Sequence, residues 1–179
     1  MKRFGAIFSV FLLCTAFIAS NKEVNIKEAK LRFQLPNESW FEHHTTQKQN
    51  VFYYHFYRKG VIDHKEKKSI TPEIMVVVEP VSGSTDLTYY SIMKQKPYQS
   101  LKKFKIEKVF TKDDGMLNLD YAIGHKASYE DDMKTKHTFY FIHAIKDKKG
   151  IQVLLTIPSD FFEAYEEEFT SVIRSLEYQ

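Results

Sequence analysis

Residues 151–176 constrain the fold more than any other stretch of the chain. Ile151, Val153, Leu155 and Ile157 alternate with Gln152, Leu154 and Thr156, the period-two pattern of a strand with one dominant apolar face. Pro158, Ser159 and Asp160 then break the strand and supply a helix N-cap. A helical stripe follows at Phe161, Tyr165, Phe169, Val172, Ile173 and Leu176, all within one broad face. Glu163, Glu166, Glu167 and Arg174 mark the opposite face. A helix divided in this way must lie on an apolar surface, and the nearest is the sheet that its own strand joins.

The preceding chain supplies the rest of that sheet. Residues 30–36 predict a first strand with Leu31, Phe33 and Leu35 on one face, and residues 36–39 turn the chain so that Trp40 and Phe41 pack back as an anchor. Residues 51–63 predict a long second strand with a bulge or turn at Gly60. Residues 74–78 are apolar on both faces, which places them centrally with a layer on each side. A turn at 82–86 opens a helix through Leu87, Tyr90, Met93 and Lys94, and Pro97 limits it to about three turns. Strands are predicted at 104–110 and 137–145, and again through Leu117, Leu119, Tyr121 and Ile123 after the Asp113-Asp114-Gly115 turn. Residues 146–150 turn the chain back to Ile151. The expected fold class is α+β: an antiparallel sheet of about six to seven strands sandwiched with one middle helix and one long C-terminal helix.

The first twenty residues are of another kind. Met1-Lys2-Arg3 is basic, residues 6–19 are almost unbroken apolar sequence, and polar residues begin at Ser20-Asn21-Lys22. That is the layout of a secretory signal peptide whose apolar core is short for a membrane span, with cleavage expected after Ser20. Retention as an uncleaved anchor is one alternative, and acylation of Cys14 as a lipoprotein is another, although Leu13 stands where such sites need a small residue. The expected organisation is a signal peptide at 1–20, a polar, flexible lead-in at 21–29 and one domain at 30–179. The expected location is exported, periplasmic or extracellular. With the segment removed, the only cysteine is gone, and the net charge falls from +3 to +1 with Lys2 and Arg3. So small a net charge gives no broad field for nucleic acid or acidic membranes.

Motifs for chemistry are absent: no glycine-rich phosphate loop, no nucleophile elbow, no His-Glu-x-x-His helix and no calcium ladder. Two groups of side chains remain. Tyr53, His55 and Tyr57 share one face of the second strand as a polar-tipped aromatic row on which a small ligand could stack. His43 and His44 fall in a polar segment after the Trp40 anchor and are weak zinc or copper candidates without a spaced third ligand. Each also reads as an ordinary solvated loop or half-exposed sheet face. His143, which shares parity with Phe139 and Phe141, reads as a partly buried histidine with a hydrogen-bond partner.

The order of elements, with the strand ending in Leu35-Pro36, Trp40 just after it and the terminal run Phe169-Thr170-Ser171-Val172-Ile173-Arg174-Ser175-Leu176, resembles the PsbP-like fold family. The resemblance spans residues 30–176. It implies an antiparallel sheet between helices and a non-catalytic accessory or binding role, and it assigns no functional residue here. The expectation is therefore an exported, non-catalytic domain that binds a protein or small ligand of the cell envelope. No cofactor, no nucleic acid and no integral span after processing are expected. The alternative is a metal-assisted hydrolase using His43, His44, His55 and nearby carboxylates, which requires a histidine and a carboxylate to meet in a concave pocket.

Overall fold

The computed structural model of the protein describes residues 22–63 and 68–179. The expected signal peptide, with Cys14 and the cleavage position after Ser20, lies outside the described residues. In chain order the strands are β1 (Glu23–Ile26), β2 (Leu31–Gln34), β3 (Trp40–Lys48), β4 (Val51–Arg58), β5 (Val61–Asp63), β6 (Lys68–Ile70) and β7 (Glu73–Pro80). Helix α1 (Leu87–Gln99) follows, then β8 (Lys102–Phe110), β9 (Ala122–Glu130), β10 (Lys136–Lys146) and β11 (Lys149–Pro158). Helix α2 (Ser159–Ser175) and the short β12 (Glu177–Tyr178) complete the described chain.

Seven strands form one antiparallel sheet in the order β3-β4-β7-β11-β10-β9-β8. A second sheet, β1-β2-β12, and the β5-β6 hairpin lie apart from it. The fold is the expected α+β sandwich. On one face of the large sheet, α2 and the small sheet close the main core, in which Ile26, Leu31, Phe33 and Leu35 meet Phe56, Ile74, Val76, Val153, Leu155, Phe169 and Val172. On the other face, α1 covers Ala127, Phe139 and Phe141, with Tyr98 and Phe104 packed against them. Strand β7 lies inside the sheet between β4 and β11, so Val76, Val77 and Val78 are all buried, as a strand apolar on both faces requires.

Several boundaries differ from the sequence pattern for physical reasons. Of the lead-in expected at 21–29, residues 22–29 are described and are not free: β1 pairs with β2 and buries Val24 and Ile26, and Ala29 is buried just beyond it. Residues 43–48 are polar yet form most of β3, because an edge strand needs only the β4 ladder on one side and its side chains can stay in water. Strand 51–63 is interrupted at Lys59-Gly60, leaving β5 separate. The segment through Leu117 and Leu119 is not a strand. Asp114 accepts the Thr111 amide at 2.7 Å and Gly115 adopts φ +70°, which folds the segment over so that Leu117 and Leu119 plug the core. Tyr121 turns out at φ +52° and is 80% exposed, and the strand starts one residue later at Ala122. Helix α2 buries Phe162, not Phe161, and its N-cap position, Pro158, has no side chain able to cap.

Close packing makes one glycine indispensable. Gly124 of β9 pairs with Phe110 of β8, and the Phe110 ring lies so close that a Cβ on Gly124 would sit 2.2 Å from it. Phe110 is fully buried and makes an edge contact with Tyr140, so the ring has little room to retreat. Gly124→Ala is expected to cost about 2–3 kcal/mol by overpacking. The urea midpoint would show it, and an unchanged midpoint would mean that Phe110 moves aside freely.

Candidate functional site

Helix α1 packs on β8, β9 and β10, which leaves the same sheet face over β3, β4 and the near side of β7 uncovered by either helix. There the structure brings four of the sequence candidates together. His44 and His55 are cross-strand partners, and their rings stack with centroids 4.3 Å apart and planes 13° apart. A register shift between Glu42 and His44 marks a bulge at His43, and the extra residue swings its imidazole to 4.8 Å from His44 and 4.7 Å from Tyr57. Phe41 extends the row at 6.4 Å from His43. His43 and His44 thus lie on a strand, not in a loop. Tyr53 occupies the same face of β4, opposite Thr46 and Val77, but makes no ring contact with the cluster among the described residues.

One carboxylate anchors the group. Glu73, at the start of β7, meets His55 Nδ1 at 2.8 Å, leaving the Nε2 edge for a ligand. Loss of hydration, then the neighbouring His55 and His43, hold the His44 pKa below the ordinary imidazole value, against the opposing pull of Glu73. Burial and then Glu73 push the Tyr57 phenol up. Both shifts favour the neutral forms of His44 and Tyr57. Among the described residues, no three histidine, cysteine, aspartate or glutamate side chains are arranged to hold a metal ion. Stacking explains this, since His44 and His55 present faces to each other and their nitrogens do not converge.

A groove of about 760 Å³ lies elsewhere, between the β6 end, the β9–β10 turn and the start of α2, lined in part by Thr71, Asp131, Lys136, His137 and Phe161. In it His137 Nε2 and Asp131 Oδ2 are 3.0 Å apart. A histidine and a carboxylate therefore do meet in a concave place, though the histidine is none of His43, His44 and His55. Asp131 is occupied in holding the turn: its Oδ1 accepts the amides of Met133 and Thr135 at 2.9 and 2.8 Å. These contacts, His137 foremost, keep its carboxyl below the usual range. The His137 ring stacks on Tyr129 at 4.9 Å, and no hydroxyl is hydrogen-bonded to it among the described residues. The pair is built as a turn clamp.

A second histidine pair, with a serine, is sealed. Ser91 Oγ lies 2.9 Å from His143 Nδ1, and Gln95 Nε2 reaches both Ser91 Oγ at 2.9 Å and His125 Nε2 at 3.2 Å. All four side chains are buried beneath α1, so no substrate reaches them. His143 has the partner its strand parity predicted. His125 escaped the sequence reading because a strand placed at 117–123 left it in a turn. A β9 starting at Ala122 puts it on the α1 side, opposite Phe141.

No protein-family profile and no curated protein sequence matches the chain. Solved structures do. LpqN, involved in cell envelope biogenesis of Mycobacterium tuberculosis, superposes with TM-score 0.60 at 10% identity, over 88% of this chain and 84% of that one. The cyanobacterial PsbP protein of Synechocystis gives 0.55 at 15% identity, over 98% and 100%. The Saccharomyces cerevisiae Ran-binding protein Mog1p gives 0.57 at 7% identity, over 89% and 96%. At such identities the likeness concerns the backbone alone. The chain has the PsbP-like fold.

Proposed function

We propose that the mature chain is an exported, non-catalytic binding domain of the cell envelope, and that it takes its ligand or partner on the ring-lined face of β3 and β4. The observation that carries this reading is the uncovered row His43, His44, His55 and Tyr57, pinned by Glu73. Flat rings with polar edges at fixed spacing suit stacking and edge hydrogen bonding, and they ask for no reorganisation on binding. The N-terminal segment at 1–20 supports export, and the likeness to LpqN supports an envelope setting. The hydrolase alternative has less support: the stacked histidines do not converge on a metal, the Ser91–His143 pair is buried, and the Asp131–His137 pair clamps a turn. Among the described residues no helix is long and apolar enough to cross a membrane.

The test is a pull-down from the envelope fraction with wild type and with a His55→Ala/Tyr57→Ala double variant. Both changes sit on a half-exposed face and should leave folding intact. The captured protein or small molecule should fall at least about tenfold with the variant, as loss of two central ring contacts implies. Equal capture by both proteins would remove this face from consideration, and turnover of a substrate by the wild type would restore the enzyme reading.

A further inference from the structure

The turn between β10 and β11 sets two lysines against each other. Asp147 and Lys148 are its central residues, and both adopt left-handed backbone, at φ +49° and +60°. That pair of conformations makes the primed two-residue hairpin turn, whose twist matches the strands it joins. It fixes the register in which Lys146 and Lys149 are direct cross-strand partners. By strand parity Lys146 shares the face of Ile142 and Ala144, and Lys149 that of Ile151 and Val153, so both lie on the main-core side. Both are half-buried. Like charges directly opposite one another destabilise a sheet, which leaves this pair in want of a counter-charge.

The small sheet brings more positive charge to the same place. After β1 the chain makes one short helical turn, Lys27–Ala29, and leaves it through Lys30 at φ +47°. Lys27 and Lys30 join Lys146 and Lys149 around a pocket of about 180 Å³, with the carboxylates of Glu28 and Asp147 also in its wall. Both carboxylates are engaged. Glu28 accepts the Tyr54 hydroxyl. Asp147 lies 3.0 Å from the Lys30 ammonium, which together with Lys146 keeps its carboxyl below the usual range. Lys146 Nζ sits 5.0 Å over the Tyr178 ring, a contact that places the ammonium without neutralising it. Lys27 and Lys149 have no carboxylate partner among the described residues. Four lysines against two carboxylates leave the pocket two positive charges in excess.

We infer that this pocket binds a phosphate dianion, as the free ion or as the head of a small phosphate ester. The excess of two positive charges matches the charge of that ligand, and about 180 Å³ has room for a tetrahedral oxyanion. Each lysine ammonium is a compact charge with several donors to turn toward it, and phosphate presents acceptor oxygens to lysines arriving from different elements. A single carboxylate group would compensate only half of the excess. Bound there, phosphate links the small sheet to the β10–β11 turn through Lys27 and Lys149. The pocket belongs to the main-core side of the large sheet, and the row of His43, His44, His55 and Tyr57 to the other, so the two sites can be tested separately.

Thermal unfolding of the full chain at about pH 8 and fixed ionic strength, with chloride replaced stepwise by inorganic phosphate, tests this. With phosphate about tenfold above its dissociation constant, the wild-type midpoint should rise by roughly 3–6 °C. Lys27→Gln/Lys149→Gln should abolish the saturable rise, and Lys96→Gln on α1 should keep it. In chloride alone the double variant should melt at or above the wild-type temperature, because the opposed lysines no longer repel. Phosphate also stabilises proteins as an excluded salt, and that effect is common to every variant. An equal rise in the wild type and the double variant would therefore overturn the proposal. So would a double variant that melts lower in chloride, which would assign the lysines to the fold. Glycerol phosphate, titrated in parallel, separates the two supporting outcomes: a variant-sensitive rise at lower concentration than inorganic phosphate names an ester, and the reverse order names the free ion.

Discussion

Trp40→Ala is expected to destabilise the protein by about 3–5 kcal/mol, the range for removing a fully buried large aromatic side chain. Trp40 is 2% exposed, its ring lies 6.1 Å from that of Phe169, and its Nε1 donates to Glu168 Oε2 at 2.6 Å. The same carboxylate accepts Asn37 Nδ2 at 3.1 Å and both Nε and Nη2 of Arg58 at 3.0 and 3.2 Å. The Arg58 guanidinium in turn lies 4.8 Å over the Tyr165 ring. One acidic residue of α2 therefore ties down the 36–39 turn, the start of β3 and the end of β4. Truncating the indole opens a cavity and removes a charge-assisted bond at once, while Glu168 keeps Arg58. Trp40→Phe separates the two contributions, retaining most of the volume and losing only the hydrogen bond, for a cost of about 1–2 kcal/mol. Urea unfolding must be followed by far-ultraviolet circular dichroism, since Trp40 is the sole tryptophan. A loss below about 1 kcal/mol for Trp40→Ala would show that this corner is not a clamp. The same clamp fixes the entry of β3, three residues before the bulge that aims His43, so Trp40→Ala should also weaken binding at the ring-lined face.

Periodicity made the centre of the fold legible and failed at its margins. Ile151, Val153, Leu155 and Ile157 bury as their alternation requires, and Val76 to Val78 lie inside the sheet because a strand apolar on both faces has no other place. What a pattern cannot carry is pairing. The polar run from His43 to Lys48 has no apolar face to announce a strand, and β3 exists because β4 offers it a ladder. Leu117 and Leu119 alternate like a strand, but the Thr111–Asp114 cap and Gly115 turn the chain away before a ladder forms.

The same distinction governs the site. The shared face of Tyr53, His55 and Tyr57 follows from parity within one strand, and the structure keeps it. The bulge that brings His43 against Tyr57, and the antiparallel register that stacks His44 on His55, are properties of two strands together. Likewise Glu168 belongs by spacing to the solvated edge of α2, yet it is only about one-fifth exposed because Trp40 and Arg58, more than a hundred residues earlier, converge on it. Helical and strand periods report which face a side chain takes and are silent on what the opposite element brings to it.

Acid should weaken the protein well before its carboxylates titrate. His125 and His143 are 3% and 1% exposed, with ring centroids 6.1 Å apart beneath α1. Burial lowers the His125 pKa to about 4, and burial, helped by the charges of His125 and Lys94, lowers that of His143 to about 3. Facing them are Ser91, Gln95 and the Lys94 ammonium from α1, and no carboxylate is hydrogen-bonded to either ring among the described residues to hold an imidazolium in place. Both groups have folded values below the ordinary 6.5, so the unfolded chain binds their protons first. Stability is complete above about pH 6.5 and falls as pH drops toward the folded values. Between pH 6.5 and 5 the two histidines together should remove roughly 3 kcal/mol. The lowered carboxyls of Glu130, Asp131, Asp147 and Glu166 have ordinary values of 3.8 to 4.5, so their losses come mainly below that window. Exposed His44 adds a small change of the same sign. Urea midpoints across this range should decline in the wild type and flatten in a His125→Gln/His143→Gln variant, whatever its starting stability. Amide exchange at pH 5 should rise first in α1, because both imidazoles lie against that helix and a charge beneath it is relieved by letting the helix lift. A wild-type profile as flat as the variant's would mean that water reaches the two rings in the folded state, and uniform acceleration across all strands would mean that α1 does not move independently of the sheet.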